Sequence, residues 1–391
     1  MMQFSNVALV AKLDLRQRVR ATNWRLSLGL WALAMFVVLM TLRYFIEPLF
    51  GVSEQNALHW VVVFDALFVF SLAITLLVTA TLSATAINGD RRSQNLAVLQ
   101  VTPLSSKEIV LGKIMAAWVA AMCFYLVALP FMLVATWWSG LGFFTHILAV
   151  LTASVVLWVV CCLGVYFSTV TPRQASSTSI TFLVVLSLVL APVVLTTLGG
   201  KASAITYTYE THRLIEDVPG KKPMNDRVDQ GGPSEDNPRN RWRCQAIKVT
   251  EKQENYQYIW WVNLANPFVL TAMPLGRLEN QVFNRGMNDR TPPEEISPLI
   301  SGVSSLKQMS SRPGHEAYED ACVEGKIVFN EIPQGPEFRA FTVHTGETGL
   351  QDLEWVLALL LYFVGGYLTY TKAAKRLELP MRKLPRNTRV A

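Results

Sequence analysis

The sequence predicts an all-α integral membrane protein with six transmembrane helices. Both termini are expected to be cytoplasmic, with a large extracytoplasmic segment between spans five and six. Three observations carry this expectation. Of 391 residues, 51% are hydrophobic and 16% charged, against roughly 25% charged in globular domains. Six stretches, 26–42, 66–87, 114–138, 147–170, 175–200 and 355–371, contain no Asp, Glu, Lys or Arg. Each approaches or exceeds the roughly 20 residues that cross about 30 Å of hydrocarbon as a helix. Lys and Arg are unevenly spread around those stretches, which sets their orientation.

Taken in chain order, residues 1–25 are a cytoplasmic or interfacial amphipathic helix. Leu9, Val10, Leu13 and Val19 supply its apolar positions, and Lys12, Arg16, Arg18 and Arg20 its charge. Such a helix lies on a membrane, and equally serves as a basic topology signal binding anionic lipid. The leader is too long for a signal peptide and no small-residue cleavage site follows, so the first span is expected to be a retained anchor. Spans one to five occupy 26–200. Trp24, Tyr44, Trp355 and Tyr370 flank the two shortest spans, where an interfacial aromatic belt belongs. Bases gather in the leader, in the second connection (Arg91, Arg92, Lys107, Lys113), at Arg173 in the fourth and in the tail 372–391. The first and third connections carry only Arg43, near Glu47 and Glu54. The net charge of +6 is therefore the positive-inside bias and implies no nucleic acid.

The segment 201–354 has more acids than bases, opposite to the cytoplasmic flanks. Residues 216–241, rich in Gly, Pro, Asn and Asp, read as a loop, and 327–332 and 338–343 as short strands. Cys244 and Cys322 are the segment's two cysteines; they are a disulfide candidate in an oxidising compartment, or else two unpaired thiols. Cys123, Cys161 and Cys162 fall within spans, as small apolar groups. Residues 256–275 resemble a seventh span, but an odd count would place the basic tail outside, and Asn266-Pro267 breaks the helix. An interfacial or re-entrant element fits, with Trp260 and Trp261 at headgroup depth; the alternative is a buried core of the outer segment.

Catalytic motifs fail on inspection. Leu111-Gly112-Lys113 lacks the upstream Gly and the following hydroxyl of a phosphate loop. His315-Glu316 has no second His at metalloprotease spacing. Gly302-Val-Ser304 lacks the closing Gly of a nucleophile elbow. No catalytic or metal-ligating residue is assigned. Arg43, Asp65 and His146 are intramembrane polar candidates near the outer ends of spans one, two and four. Arg43 and Asp65 form either a neutralising pair or a structural, headgroup-facing contact reached by snorkelling. Pro130 and Pro192 kink spans three and five, for gating or for packing.

The most informative segment is 88–113, a polar island between two apolar runs. Leu96, Leu99 and Gln100 share a helical face before Thr102-Pro103 stops the run. Ser105 or Ser106 then caps a second helix with Glu108 in its first turn, and Ile109, Val110 and Ile114 lead into span three. Either this is a handle that something outside the membrane grips, or an ordinary interfacial loop. Asp90-Arg91-Arg92, Leu96-x-x-Leu99, Thr102-Pro103-Leu104-Ser105, Lys107-Glu108-Ile109 and Leu111-Gly112-Lys113 together resemble permeases of the type-2 ABC exporter class. The six spans, the basic leader, Asn266-Pro267-Phe268 before the last span and the basic tail are similar too.

The resemblance implies that Asp90, Arg91, Arg92, Leu96, Leu99, Thr102, Pro103, Lys107 and Glu108 contact a separate ABC ATPase subunit through a coupling helix. Residues 4–25 become a connecting helix that touches it as well. ATP and Mg then sit on that partner, and this chain binds no cofactor itself. The resemblance further implies a second permease copy or a paralogue, surrounding membrane lipid, and a multi-pass place in a bacterial plasma membrane. A lipid, drug or peptide-like substrate would cross between spans one, two and five. The competing reading is a sensor or mechanotransmission subunit that relays ATPase motion to its outer segment without transport.

Overall fold

The computed structural model describes residues 3–20, 22–50, 57–93, 104–139, 143–216, 242–256, 258–274, 322–323, 326–327 and 351–378. The helices are α1 (Phe4–Arg20), α2 (Thr22–Phe50), α3 (Ala57–Ala84), α4 (Ala86–Arg92), α5 (Ser106–Ser139), α6 (Phe143–Val170), α7 (Gln174–Ala202), α8 (Pro267–Ala272) and α9 (Gln351–Leu377). Among the described residues, six helices are long and apolar enough to cross a membrane: α2, α3 running on into α4, α5, α6, α7 and α9. This is the number read from the sequence. The 34 residues of α5 extend about 51 Å at 1.5 Å per residue. That exceeds the roughly 30 Å hydrocarbon core, so the polar turns ahead of Ile114 project beyond the apolar run.

Two compact units emerge. The first comprises residues 1–196, 260–307 and 349–391. At its centre α3 packs on both α5 and α6. Lipid tails are as apolar as Leu, so close packing rather than water exclusion has to hold these spans together. The sequence supplies small residues for it. Ala116, Ala117, Ala120, Ala121, Ala128 and Ala135 give α5 a fully buried, flat seam. A Cβ on Gly164 of α6 would lie 1.9 Å from Ser83 Oγ, so the α3 and α6 backbones touch there. Indoles pin neighbouring spans: Trp31 Nε1 donates to Phe124 O at 2.9 Å and Trp118 Nε1 to Ser154 O at 2.9 Å. α9 docks on α6 where Gly366 leaves room for Trp158, whose ring stacks on Phe363 at 4.8 Å. A second apolar cluster joins α4, α5, α6 and α9 through Ile87, Ile109, Val110, Ile114, Val165, Ala373 and Leu377. α7 keeps most of its apolar residues exposed, and α2 buries only Trp31, Met35, Leu39 and Ile46 among its described apolar residues.

The apolar stretch near 260 forms two short turns, a 3-10 helix at Trp260–Ala265 and α8, neither long enough to cross. Asn266-Pro267, read as a helix break, is here a helix start. The Asn266 side chain accepts from Phe268 N–H at 2.9 Å with Pro267 in the first turn, the arrangement that both residue types favour. Trp355 Nε1 donates to Leu270 O at 3.3 Å, and the Tyr362 hydroxyl to Ala265 O. The element therefore packs on the spans of the first unit, with Trp261 exposed and Trp260 half-buried.

The second unit comprises residues 197–259 and 308–348. Strands β1 (Ile205–Glu216) and β2 (Trp242–Gln253) pair antiparallel from Ile205↔Gln253 to Glu216↔Trp242, and β3 (Cys322–Val323) pairs β4 (Lys326–Ile327). The chain leaving β2 returns to the end of α7: Asn255 N–H donates to Gly200 O at 3.2 Å, and Ser203 Oγ to Asn255 O at 2.5 Å. Gly199 and Gly200 permit this approach, since a Cβ on either would strike Ile259 or Tyr256. The sequence reading missed β1 and β2, although Thr206-Tyr207-Thr208-Tyr209 alternates as a strand should. The expected loop 216–241 lies, past Glu216, outside the described residues. So do the expected strand 338–343, all of 327–332 beyond Ile327, and the side chains of Cys244 and Cys322.

Candidate functional site

The end of the first unit that carries α1, α4 and the start of α5 is built around two side chains of α5. The first is Glu108. Ser105 caps α5: its Oγ accepts from Glu108 N–H at 3.3 Å, and Glu108 Oε2 accepts from Ser105 N–H and Oγ–H, both at 2.8 Å. This is a capping box, in which two orphan donors are satisfied reciprocally. The other carboxylate oxygen caps a second helix. Oε1 accepts from Gln3 N–H at 2.8 Å and Asn6 Nδ2 at 3.2 Å, just before and inside the first turn of α1. One carboxylate thus closes the N-termini of both helices, where negative charge is favoured by the dipoles. Glu108 stands ahead of the apolar run, covered by these partners and only 3% exposed. The Gln3 N–H first, then the Ser105 donors, hold its carboxyl well below the usual carboxylate range, so it is ionised at neutral pH.

The second side chain is Lys113, 6% exposed. Its Nζ lies 3.0 Å from Asp14 Oδ1 of α1 and 2.6 Å from Asp90 Oδ2 of α4. Asp14 also pairs with Arg18 at 3.2 Å one turn along. Two cations and two carboxylates therefore alternate across three helices, and neither carboxylate is buried without a cation. Between Glu108 and Lys113, Gly112 brings α1 close: a Cβ there would meet Val10 Cβ at 2.6 Å. Val7 and Val10 fill this contact and are buried, whereas Leu9, Leu13 and Val19 remain exposed on α1.

The joint of α3 with α4 is anchored on its other side by hydroxyls. Thr85, which precedes α4, makes no side-chain cap. Instead Ser168 Oγ of α6 accepts from Ile87 N–H at 3.1 Å and Asn88 N–H at 3.0 Å. Ser177 Oγ of α7 donates to Ala84 O at 2.9 Å. α9 reaches the same end: the Tyr370 hydroxyl donates to Lys107 O at 3.4 Å, and the Arg376 guanidinium lies over the Tyr166 ring at 5.7 Å.

The contact residues expected from the sequence divide by direction. Asp90 and Glu108 face inward, into the ion pair and the double cap. Arg91, Arg92 and Lys107 are exposed, and Arg91 Nη1 donates to Asn88 Oδ1 at 3.3 Å. Leu96, Leu99, Thr102 and Pro103 lie outside the described residues. Of the intramembrane candidates, Arg43 sits with its guanidinium 5.9 Å from the Trp60 ring, which stacks on Trp138 at 5.8 Å. Asp65 is buried, and the side chain of His146 lies outside the described ones. Sequence reasoning missed Asp14, Gly112 as a contact, Ser168 and Ser177. Asp14 had a signal, as the one acid in a strongly basic helix.

No group of three His, Cys, Asp or Glu gathers at metal-binding distance among the described residues. What the arrangement does chemically is join helices: one carboxylate and one ammonium bind α1, α4 and α5, and hydroxyls bind α4 to α6 and the end of α3 to α7. No curated protein matches the chain. The model of the ABC-2 family transporter proteins, permeases of ABC transporters that normally work with an ABC ATPase subunit, matches residues 8–275. That match spans more than half of the sequence and includes every residue of the double cap and the ion network except Gln3 and Asn6, so the chain belongs to the ABC-2 transporter family.

Proposed function

We propose that this permease exports a lipid, drug or peptide-like substrate, driven by ATP hydrolysis on a separate ABC ATPase subunit that holds the ATP and Mg. The observation that carries the reading is the triple junction of α1, α4 and α5. Its inward side is locked by Glu108 and Lys113, and its outward side leaves Arg91, Arg92 and Lys107 exposed on both flanks of residues 94–103. A locked junction moves as a unit, so force applied by a partner gripping 94–103 enters several spans at once. The junction faces the cytoplasm, in keeping with its Lys and Arg excess, and the β1–β2 unit faces outward. The working complex has two permease subunits, two copies of this chain or this chain with a paralogue. The largely uncovered apolar faces of α2 and α7 suit both a second permease and the lipid of a bacterial plasma membrane. Transport is driven only where substrate affinity differs between the inward- and outward-open states.

The test is co-purification of the ATPase with a chain carrying Arg91→Glu, Arg92→Glu and Pro103→Ala. Loss of the ATPase, with membrane insertion unchanged, is expected. Normal assembly and transport by this variant would overturn the coupling assignment.

A further inference from the structure

α7 is held loosely by the rest of its unit. Leu183, Leu186, Leu190 and Val194 are exposed on it, and it packs sparsely, whereas α3, α5 and α6 pack against one another along their lengths. Side-chain hydrogen bonds nevertheless tie it down at two places where a helix is interrupted. At its start, buried Ser177 donates from Oγ to the carbonyl of Ala84 at 2.9 Å, the last residue of α3. Further along, Val189 O accepts from Asn266 Nδ2 at 2.9 Å. This lies within one turn of Pro192, which has no N–H to offer the carbonyl four residues earlier and kinks a helix there.

The Ala84–Asn88 interruption has a specific architecture. α3 stops, α4 starts, and the backbone groups freed between them go to Ser168 of α6 and Ser177 of α7. Toward α6 the joint is rigid: Ser168 accepts twice, Asn88 Nδ2 reaches Thr171 Oγ1 at 3.5 Å, and Gly164 seats Ser83 against the α6 backbone. Toward α7 the described residues supply one hydrogen bond, with the Gln174 side chain lying beside Gly89; the bond fixes a separation but leaves rotation free. A displacement of the α3–α4 joint together with the packed α3–α5–α6 core therefore carries the start of α7 through this one bond, about which α7 can turn relative to α6.

We infer that Ser177 and Asn266 are positioning residues of the transport cycle. Ser177 passes the displacement of the α3–α4 joint into α7, and the Asn266–Val189 bond beside Pro192 is the point about which α7 bends. The inference rests on the proposed coupling role of α4, and the test separates the two.

The intact complex with its ATPase, in nanodiscs, is labelled with nitroxides at Ser179→Cys on α7 and Leu151→Cys on α6. Both positions are exposed. The five native cysteines are replaced, and labelled protomers are diluted into unlabelled ones. Double electron–electron resonance reads the α6–α7 distance with and without ATP trapped by vanadate. The distance is expected to change on trapping. Ser177→Ala should shift the trapped population back by about fivefold, the worth of one intramolecular hydrogen bond, and Ser177→Thr should restore it. Asn266→Ser, which keeps a capping hydroxyl but loses the amide donor, should behave as Ser177→Ala does. An unchanged distance response in both variants overturns the inference and leaves coupling intact. So does a parent complex that traps ATP without any α6–α7 change. A chain that purifies without the ATPase overturns the coupling proposal and the inference together.

Discussion

At the residue scale, Lys113 and Glu108 have different jobs that their variants should separate. Lys113 neutralises Asp14 and Asp90 together; Lys113→Met keeps the aliphatic stem but leaves two partly buried carboxylates without their shared cation. Breaking a buried pair by removing one partner costs about 3–5 kcal/mol. With Asp14 and Asp90 partly reached by water, a loss of roughly 2–3 kcal/mol is expected, read by denaturant unfolding of the purified chain. Exchanging the charges, Lys113→Asp with Asp90→Lys, should recover part of it, and a swap no better than either single variant would show that the pairing itself contributes nothing. Glu108→Gln tests the double cap. A glutamine retains one acceptor oxygen but presents N–H groups to donors on its other side, so one of the two helix starts is left open. Amide exchange over residues 3–7 or 105–108 should quicken by about fivefold, and unchanged protection at both ends would refute a shared cap.

At the element scale, the contact of α1 with α5 turns on one missing methyl. Gly112→Val would place atoms where Val10 and the Val7 carbonyl already are, an overpacking cost of about 1–3 kcal/mol that is relieved by lifting α1 away. Protease cleavage near Arg16 and Arg18 should accelerate in this variant. Gly29→Ala is the control: nothing lies within 4 Å of a Cβ there, and alanine is the better helix former by about 1 kcal/mol. Equal cleavage rates in the two would remove Gly112 from the docking of α1. These elements differ in how far the sequence announces them. The six spans were legible because an uncharged run is a local signal, as was the Ser105–Glu108 helix start, which needs only neighbouring residues. The partner of Lys113 on α1 stands 99 positions away, and nothing local marks the hydroxyls of Ser168 and Ser177 as acceptor and donor for another span. Asn266-Pro267 carried the right information with two meanings, since the pair ends one helical turn and begins the next. The segment 88–113 was half legible: charge identified it and all its marked residues were expected to face a partner, but only packing separates inward Asp90 and Glu108 from outward Arg91, Arg92 and Lys107.

At the scale of the whole molecule, the packing separates a fixed part from parts that are free to respond. The alanine seam of α5 and the Gly164–Ser83 contact make α3, α5 and α6 a close-fitting core, and such cores transmit strain rather than absorb it. The α1–α4–α5 junction stands on that core, so its orientation relative to the membrane decides whether an ATPase can reach it. In the proposed topology an even number of spans puts α1 and the end of α9 on one side, expected from the Lys and Arg excess to be the cytoplasm. In a variant lacking native cysteines, a membrane-impermeant thiol reagent applied to intact cells should label Trp261→Cys, an exposed position expected on the outer side. It should leave Ser105→Cys, exposed at the junction, unlabelled until the membrane is permeabilised. The reverse pattern would put the junction outside, away from cytoplasmic ATP, and no arrangement of Arg91, Arg92 and Lys107 could then couple hydrolysis to the spans.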